Sequence, residues 1–320
     1  MTETTRQSGE GAQGGIMPGL PAAPAEAPEA GAAAAARSAS LWSDAWYDLR
    51  RNPLFIISGL LIAVLVLMAA WPSLFSSIDA TDARNCDLNQ ARGEVSGAHW
   101  FGQDNQGCDV YARTVYGARN SIVIGMLTTV STSLFGGLLG LLAGYFGRWF
   151  DGLMSRITDV FFAIPIILGG LLILSTFRTG NVWTVTFALA VIAWPMIFRV
   201  MRGAVLTTKN QDYVVAVRAL GASPPRIMQR HILPNAVAPV VVVATVNLGV
   251  FIAAEAALSY LGIGIQSPSI SWGLMIADAQ ARFLEAWWPL VFPAGFLALT
   301  VLSFIMLGDA VRDALDPKLR

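Results

Sequence analysis

Few side chains in this sequence could do chemistry. Lys209 and Lys318 are its two lysines, preceded by Thr208 and Pro317. No GxxxxGK[ST] loop can therefore cradle a nucleotide phosphate. The two histidines, His99 and His231, are far apart. An HExxH pair is impossible, and no metal site is expected. A GxSxG nucleophile elbow is also missing. What remains is sulfur, one carboxylate and a basic cluster. Cys86 and Cys108 could pair, and Glu255 stands inside a long apolar run. Residues 218–235 read RALGASPPRIMQRHILPN, with Arg218, Arg226, Arg230 and two adjacent prolines. These groups can bond, bend the chain or pair charge, but they form no catalytic constellation. The expectation is a non-enzyme without a cofactor of its own, with any ATP and Mg held by another chain.

The elements that must position these groups are membrane helices. The chain of 320 residues is 55% hydrophobic and 13% charged, against about 25% charge in a soluble domain. So few charges cannot cover a globular surface, and an all-α, multi-pass membrane protein is expected. The net charge is zero, which gives no field for a nucleic-acid partner.

A span needs about 20 largely apolar residues. Six segments qualify, near 54–75, 121–147, 157–177, 182–200, 236–258 and 287–308. With the N-terminus inside, 15 of the 21 lysines and arginines fall on the inner side. That bias predicts both termini to be cytoplasmic. The expected divisions are a disordered tail at 1–40, an entry helix and first span at 41–75, and an outer loop at 76–120. A core follows at 121–308, carrying an inner loop at 211–234, and a cytoplasmic end at 309–320. Leu41, Trp42, Trp46 and Leu49 share one helical face, which either lies in the membrane interface or simply extends the first span.

Other features leave two readings open. Both cysteines fall in the outer loop, in an oxidising compartment, so they form either a disulfide or two free thiols. A bridge would stabilise the loop by roughly 3 kcal/mol. Gly136, Gly140 and Gly144 recur every four residues, a smooth face for close packing inside this chain or against a partner. Pro165 and Pro195 should each kink a span. Arg156 and Asp159 are expected as an i,i+3 pair, and Asp309, Arg312 and Asp313 as a solvated helix end. Glu255, costly within a span, either lines a path and meets a solute ammonium or forms part of an outer gate.

The basic segment itself predicts a hairpin. A helix over 211–220 can end at Gly221 in the left-handed region. Ser223 is a suitable N-cap and Pro224 a suitable first residue for a second helix. That helix should run to about Ile232 and break at Pro234. A DNA-reading helix-turn-helix is excluded by geometry, because both ends are anchored in lipid. The hairpin either rests on anionic headgroups or docks on a cytosolic protein.

Here the residues resemble a family. DYVVAVRALGASPPRIMQRHILPN is similar to the EAA loop of ABC-importer permeases, in the form found in the C-type subunit of dipeptide, oligopeptide and nickel transporters. LWSDAWYDLRRNPL, HWFGQDNQGCDVYARTVYGARNSI, TDVFFAIPIILGG, AEAALSYLGIGIQSPSISWGLMI and LGDAVRDALDPKLR also resemble family segments, in order across residues 41–320. Val215 replaces the usual Glu, Val217 stands where Ala is common, and Cys108 replaces the usual Arg. The turn glycine is kept as Gly221.

The resemblance implies a type I ABC-importer permease with six membrane helices, in the cell membrane of a bacterium. Its partners would be a second homologous permease, two ATPases and an extracytoplasmic binding protein. It implies that Arg218, Ala219, Leu220, Gly221, Ala222, Ser223, Pro224, Arg226 and Arg230 couple the permease to an ATPase. The implied cargo is a di- or oligopeptide, with nickel or another solute as the alternative. A stand-alone carrier or a scaffold would need no ATPase, but neither inverted repeats nor midplane charges favour a carrier.

Overall fold

The computed structural model describes residues 46–177 and 180–315. The tail at 1–40, Leu41, Trp42, and residues 316–320 lie outside the described residues. The described chain contains no β-strand, only an isolated bridge between Gln103 and Asp109.

Five helices are long and apolar enough to cross a membrane: α1 (Pro53–Ala70), α2 (Val110–Phe146), α5 (Val182–Thr208), α8 (Leu233–Tyr260) and α10 (Trp288–Leu315). Two shorter helices, α3 (Arg148–Phe162) and α4 (Ile166–Leu174), pass the same test together and meet at 88°. They count as a sixth span if the bent pair crosses as one. Two helices, α6 (Asp212–Ala219) and α7 (Pro224–Ile227), form a hairpin at the end of the bundle that the charge bias of the sequence assigns to the inner side, and α9 (Trp272–Gln280) lies toward the opposite, outer-assigned end.

Local chemistry fixes most boundaries. Asn52 accepts the Leu54 N–H, and Pro53 opens α1 where its missing N–H costs nothing. A turn at 50–52 separates α1 from the helical residues 46–49, so these are not an extension of the first span. Instead Leu49 packs against Ala310 and Ala314 of α10. Asp109 caps α2 by accepting the Ala112 N–H. Asn181 and Thr184 close a reciprocal capping box on α5. Helix α2 begins well ahead of its apolar run, and its first turns belong to the outer region.

The glycine face settles on packing inside the chain. A Cβ on Gly136 would meet the Trp194 carbonyl at 2.5 Å, and one on Gly140 the Phe198 carbonyl at 2.6 Å. A Cβ on Gly144 would meet Val205 at 2.8 Å. Backbone contact this close between α2 and α5 is open to glycine alone.

The prolines act unequally. Pro165 does more than kink its span. It cannot donate to the helix and biases Ile164 away from helical geometry, so α3 stops at Phe162 and the chain turns before α4. Helix α5 runs unbroken through Pro195. Pro234 does not break its helix either. Met228–Ile232 forms a π turn in which the Leu233 N–H reaches back to the Met228 carbonyl. The wider turn shifts the register just ahead of the proline, so Pro224–Tyr260 reads as one helix of 37 residues.

Along α1, Leu54, Ile56, Ile57, Leu60, Val64 and Leu67 are exposed. An apolar surface of this kind fits a lipid environment, in which helices satisfy their own backbone.

Candidate functional site: an inner hairpin, a midspan groove and an outer cap

The inner hairpin is built by a helix stop. After α6, Gly221 takes φ +81°. Its N–H donates to the Arg218 carbonyl, and the Ala222 N–H donates to Val217. This is a Schellman turn, and Ala222 and Val217 lie on the same apolar cluster. No atom lies within 4 Å of a Cβ built on Gly221. The glycine is therefore required by its backbone angle and not by space. Ser223 occupies the expected N-cap position of α7, but its side chain makes no capping bond.

The underside of the hairpin is apolar and buried. Val214, Ile227, Met228 and Ile232 pack with Leu141 of α2 and with Ile197, Met201 and Val205 of α5. Asn235 donates to the Tyr213 hydroxyl at 3.0 Å and to the His231 carbonyl at 2.9 Å, tying the two arms. The upper side is the reverse. Leu220 at the tip is 86% exposed. Arg218, Arg226 and Arg230 are exposed and form no ion pair among the described residues. With Val217, Leu220, Gly221, Ala222 and His231, Arg226 and Arg230 border an open hollow of about 410 Å³. This combination can receive an acidic, partly apolar surface.

Three other basic residues near the same helix ends are already paired. Arg202 clasps Asp151 through both nitrogens, and Lys209 donates to the Gly144 carbonyl at 2.6 Å. Asp159 has Arg199 at 2.7 Å as its nearer partner, with Arg156 at 4.0 Å. Asp309, Arg312 and Asp313 are exposed on the end of α10.

Halfway along the spans, the α3–α4 bend leaves a groove of about 350 Å³. Its walls include Phe161, Phe162, Pro165, Ile192, Pro195, Met196, Asn247 and Phe251. The sequence reading passed over Asn247, and a lone amide in the middle of an apolar run was the available signal.

The outer cap is fastened by directional contacts. Cys86 and Cys108 are joined by a disulfide. Asp104 pairs with Arg113 at 2.5 Å, Asp109 with His99 at 2.7 Å, and Arg92 with Glu285 at 3.0 Å. Asn105 donates to the Asp278 carbonyl at 2.7 Å. Beneath this lies Glu255, with no exposed surface. Its Oε2 accepts from the Ser121 hydroxyl at 2.9 Å and its Oε1 from the Ser259 hydroxyl at 2.7 Å. Ser121 in turn accepts the Trp272 N–H, and Ser259 accepts the Ile265 N–H. The carboxylate thus staples α2, α8 and the loop leading to α9. A side chain so enclosed does not line a path, so it cannot meet a solute ammonium in this conformation.

The family model described as "Binding-protein-dependent transport system inner membrane component" matches residues 136–320, and the "N-terminal TM domain of oligopeptide transport permease C" matches residues 40–91. The oligopeptide transport system permease protein OppC of Bacillus subtilis (strain 168) is 39% identical over 89% of this chain and 92% of its own length. The dipeptide transport system permease protein DppC of Alkalihalophilus pseudofirmus is 38% identical over 88% and 92%. The glutathione transport system permease protein GsiD of Pectobacterium atrosepticum is 36% identical over 87% and 92%. Among solved structures, an inward-facing MetNI methionine ABC transporter aligns with a TM-score of 0.53 at 22% identity, covering 63% of this chain and 96% of that one, which supports the fold. The chain belongs to the family of inner-membrane components of binding-protein-dependent transport systems.

Proposed function

We propose that this chain is a non-catalytic permease subunit of an ATP-driven importer of di- or oligopeptides, in the cytoplasmic membrane of a bacterium. One observation carries the proposal. The hairpin is packed to the bundle through a buried apolar underside, while three unpaired arginines and Leu220 remain on its open side. Such a piece moves as a unit with whatever docks on it. The partner it fits is an ATPase subunit with an acidic, apolar-centred groove, and closure of two ATPases around ATP would displace two such hairpins. The spans would then exchange inward and outward openings as rigid bodies.

Arg218, Ala219, Leu220, Gly221, Ala222, Ser223, Pro224, Arg226 and Arg230 form the coupling surface in this reading. A second homologous permease completes the conduit, and an extracytoplasmic binding protein delivers the peptide to the cap. ATP and Mg belong to the ATPases. The positive-inside count supports a reading with both termini in the cytoplasm, the core at 121–308 and the coupling loop at 211–234. The relatives named as oligopeptide, dipeptide and glutathione permeases support the cargo class.

Crosslinking tests the assignment. Leu220→Cys, paired with single cysteines along the ATPase groove, should give an adduct in an assembled transporter, in a yield that changes with nucleotide. A transporter that imports peptide yet gives no adduct at any groove position would refute the coupling role.

A further inference from the structure

The lining of the groove at the α3–α4 bend contains a single polar side chain. Asn247 lies at the centre of the 28-residue helix α8, about 20 Å from either end. Its side-chain amide has no hydrogen-bond partner among the described residues. The amide is half-exposed and opens on the groove. The lining residues around it include no charge. We infer that this groove is a contact site for the peptide in transit, with Asn247 holding the peptide backbone. The inference rests on the peptide-importer reading above.

Three points favour an extended peptide as the occupant. A carboxamide offers one acceptor and two donors, matching the unpaired C=O and N–H of an extended backbone. A membrane helix from a second permease satisfies its own backbone, so it could answer Asn247 only through a chance side chain. Irregular backbone at membrane depth, as at Ala163–Pro165, is found where it borders a cavity. The volume, about 350 Å³, falls within the range of small-ligand sites, about 300–1,000 Å³. The uncharged walls of Phe162, Ile192 and Phe251 would accept side chains of many kinds, while the amide reads what all peptides share.

The test uses the assembled transporter in proteoliposomes, with radiolabelled trialanine for uptake and a diazirine-bearing tripeptide for photolabelling. Asn247→Leu, close in volume, should reduce uptake about tenfold, the loss of one buried hydrogen bond. Assembly and ATP hydrolysis should persist, and Asn247→Gln should restore most of the uptake. Photoadducts should map to 161–166 or 247–251 and be displaced by unlabelled trialanine. Wild-type uptake by Asn247→Leu, or peptide adducts confined to other regions, would overturn the site while leaving the importer intact. If the wild-type transporter takes up no peptide at all, the importer reading falls, and this inference falls with it.

Discussion

The inner hairpin and the outer cap sit at opposite ends of the same helices and are fastened by different chemistry. The cap is held by a disulfide, two ion pairs, a His99–Asp109 hydrogen bond and a buried carboxylate with two serine donors. The hairpin is held chiefly by aliphatic packing, and its charges face outward. Directional bonds specify one arrangement and fail when their partners shift by an ångström or so. Apolar contact is non-directional and tolerates small displacements. The difference teaches that, in the proposed reading, the face that takes up force is held by contacts that tolerate small shifts, while the face that meets the solute is held by directional bonds.

The sharpest way to break this comparison is at Glu255. Glu255→Ala leaves two buried hydroxyls without their acceptor and opens a cavity, which should cost roughly 3–5 kcal/mol. Thermal unfolding of the purified transporter should shift strongly, with Glu255→Gln intermediate. A neutral result would show that the cap is not pinned there. Next comes the disulfide. Cys86→Ser with Cys108→Ser should cost about 3 kcal/mol in the cap's local stability by loop entropy. Hydrogen exchange confined to residues 76–109 would report it, while ATP hydrolysis by the assembled transporter should change little. Gly221→Ala should show the opposite pattern. Forcing a side chain into φ +81° costs about 1–2 kcal/mol, spread over a turn with free space. Transport should fall more than the unfolding temperature, and Gly221→Asn should be milder.

The smallest effect concerns Asp278, which borders an outer cavity of about 180 Å³ with Asp104 and Arg113. Burial raises its carboxyl above the usual carboxylate range, against the lowering influence of Arg113. The fold therefore favours the protonated form. Its contribution is most favourable below the ordinary carboxylate pKa and declines as pH rises toward the raised value. Asp278→Asn should flatten that decline, by less than ~1 kcal/mol because the group keeps solvent contact. A thermal-shift series across acidic pH would measure it.

Much of this was legible in one dimension. The helix stop at Gly221 follows from a local backbone demand, and the spans follow from run length. What escaped depends on partners distant in sequence or on backbone detail. Ser121 lies 134 residues from Glu255, so nothing near that acid announced its satisfaction. The glycine face of α2 was legible as a smooth surface, but its partner, α5, was not. A proline signals trouble without its outcome: Pro165 ends a helix, Pro195 sits within one, and Pro234 is absorbed by a π turn. Helix α9 is short and interrupts a loop that composition alone reads as irregular.

The absorbed Pro234 has a mechanical consequence. Because the chain does not break there, Pro224 at the hairpin and Glu255 beneath the cap stand on one spindle, about 47 Å apart along its axis. A swing of about 5° about the hairpin end carries the far end by about 4 Å over that length. That distance exceeds the reach of the Ser121 hydroxyl on α2, while Ser259 travels with Glu255 on the same helix. If the hairpin docks on an ATPase as proposed, news of nucleotide binding would arrive at the cap as plain displacement, without a relay of intermediate residues.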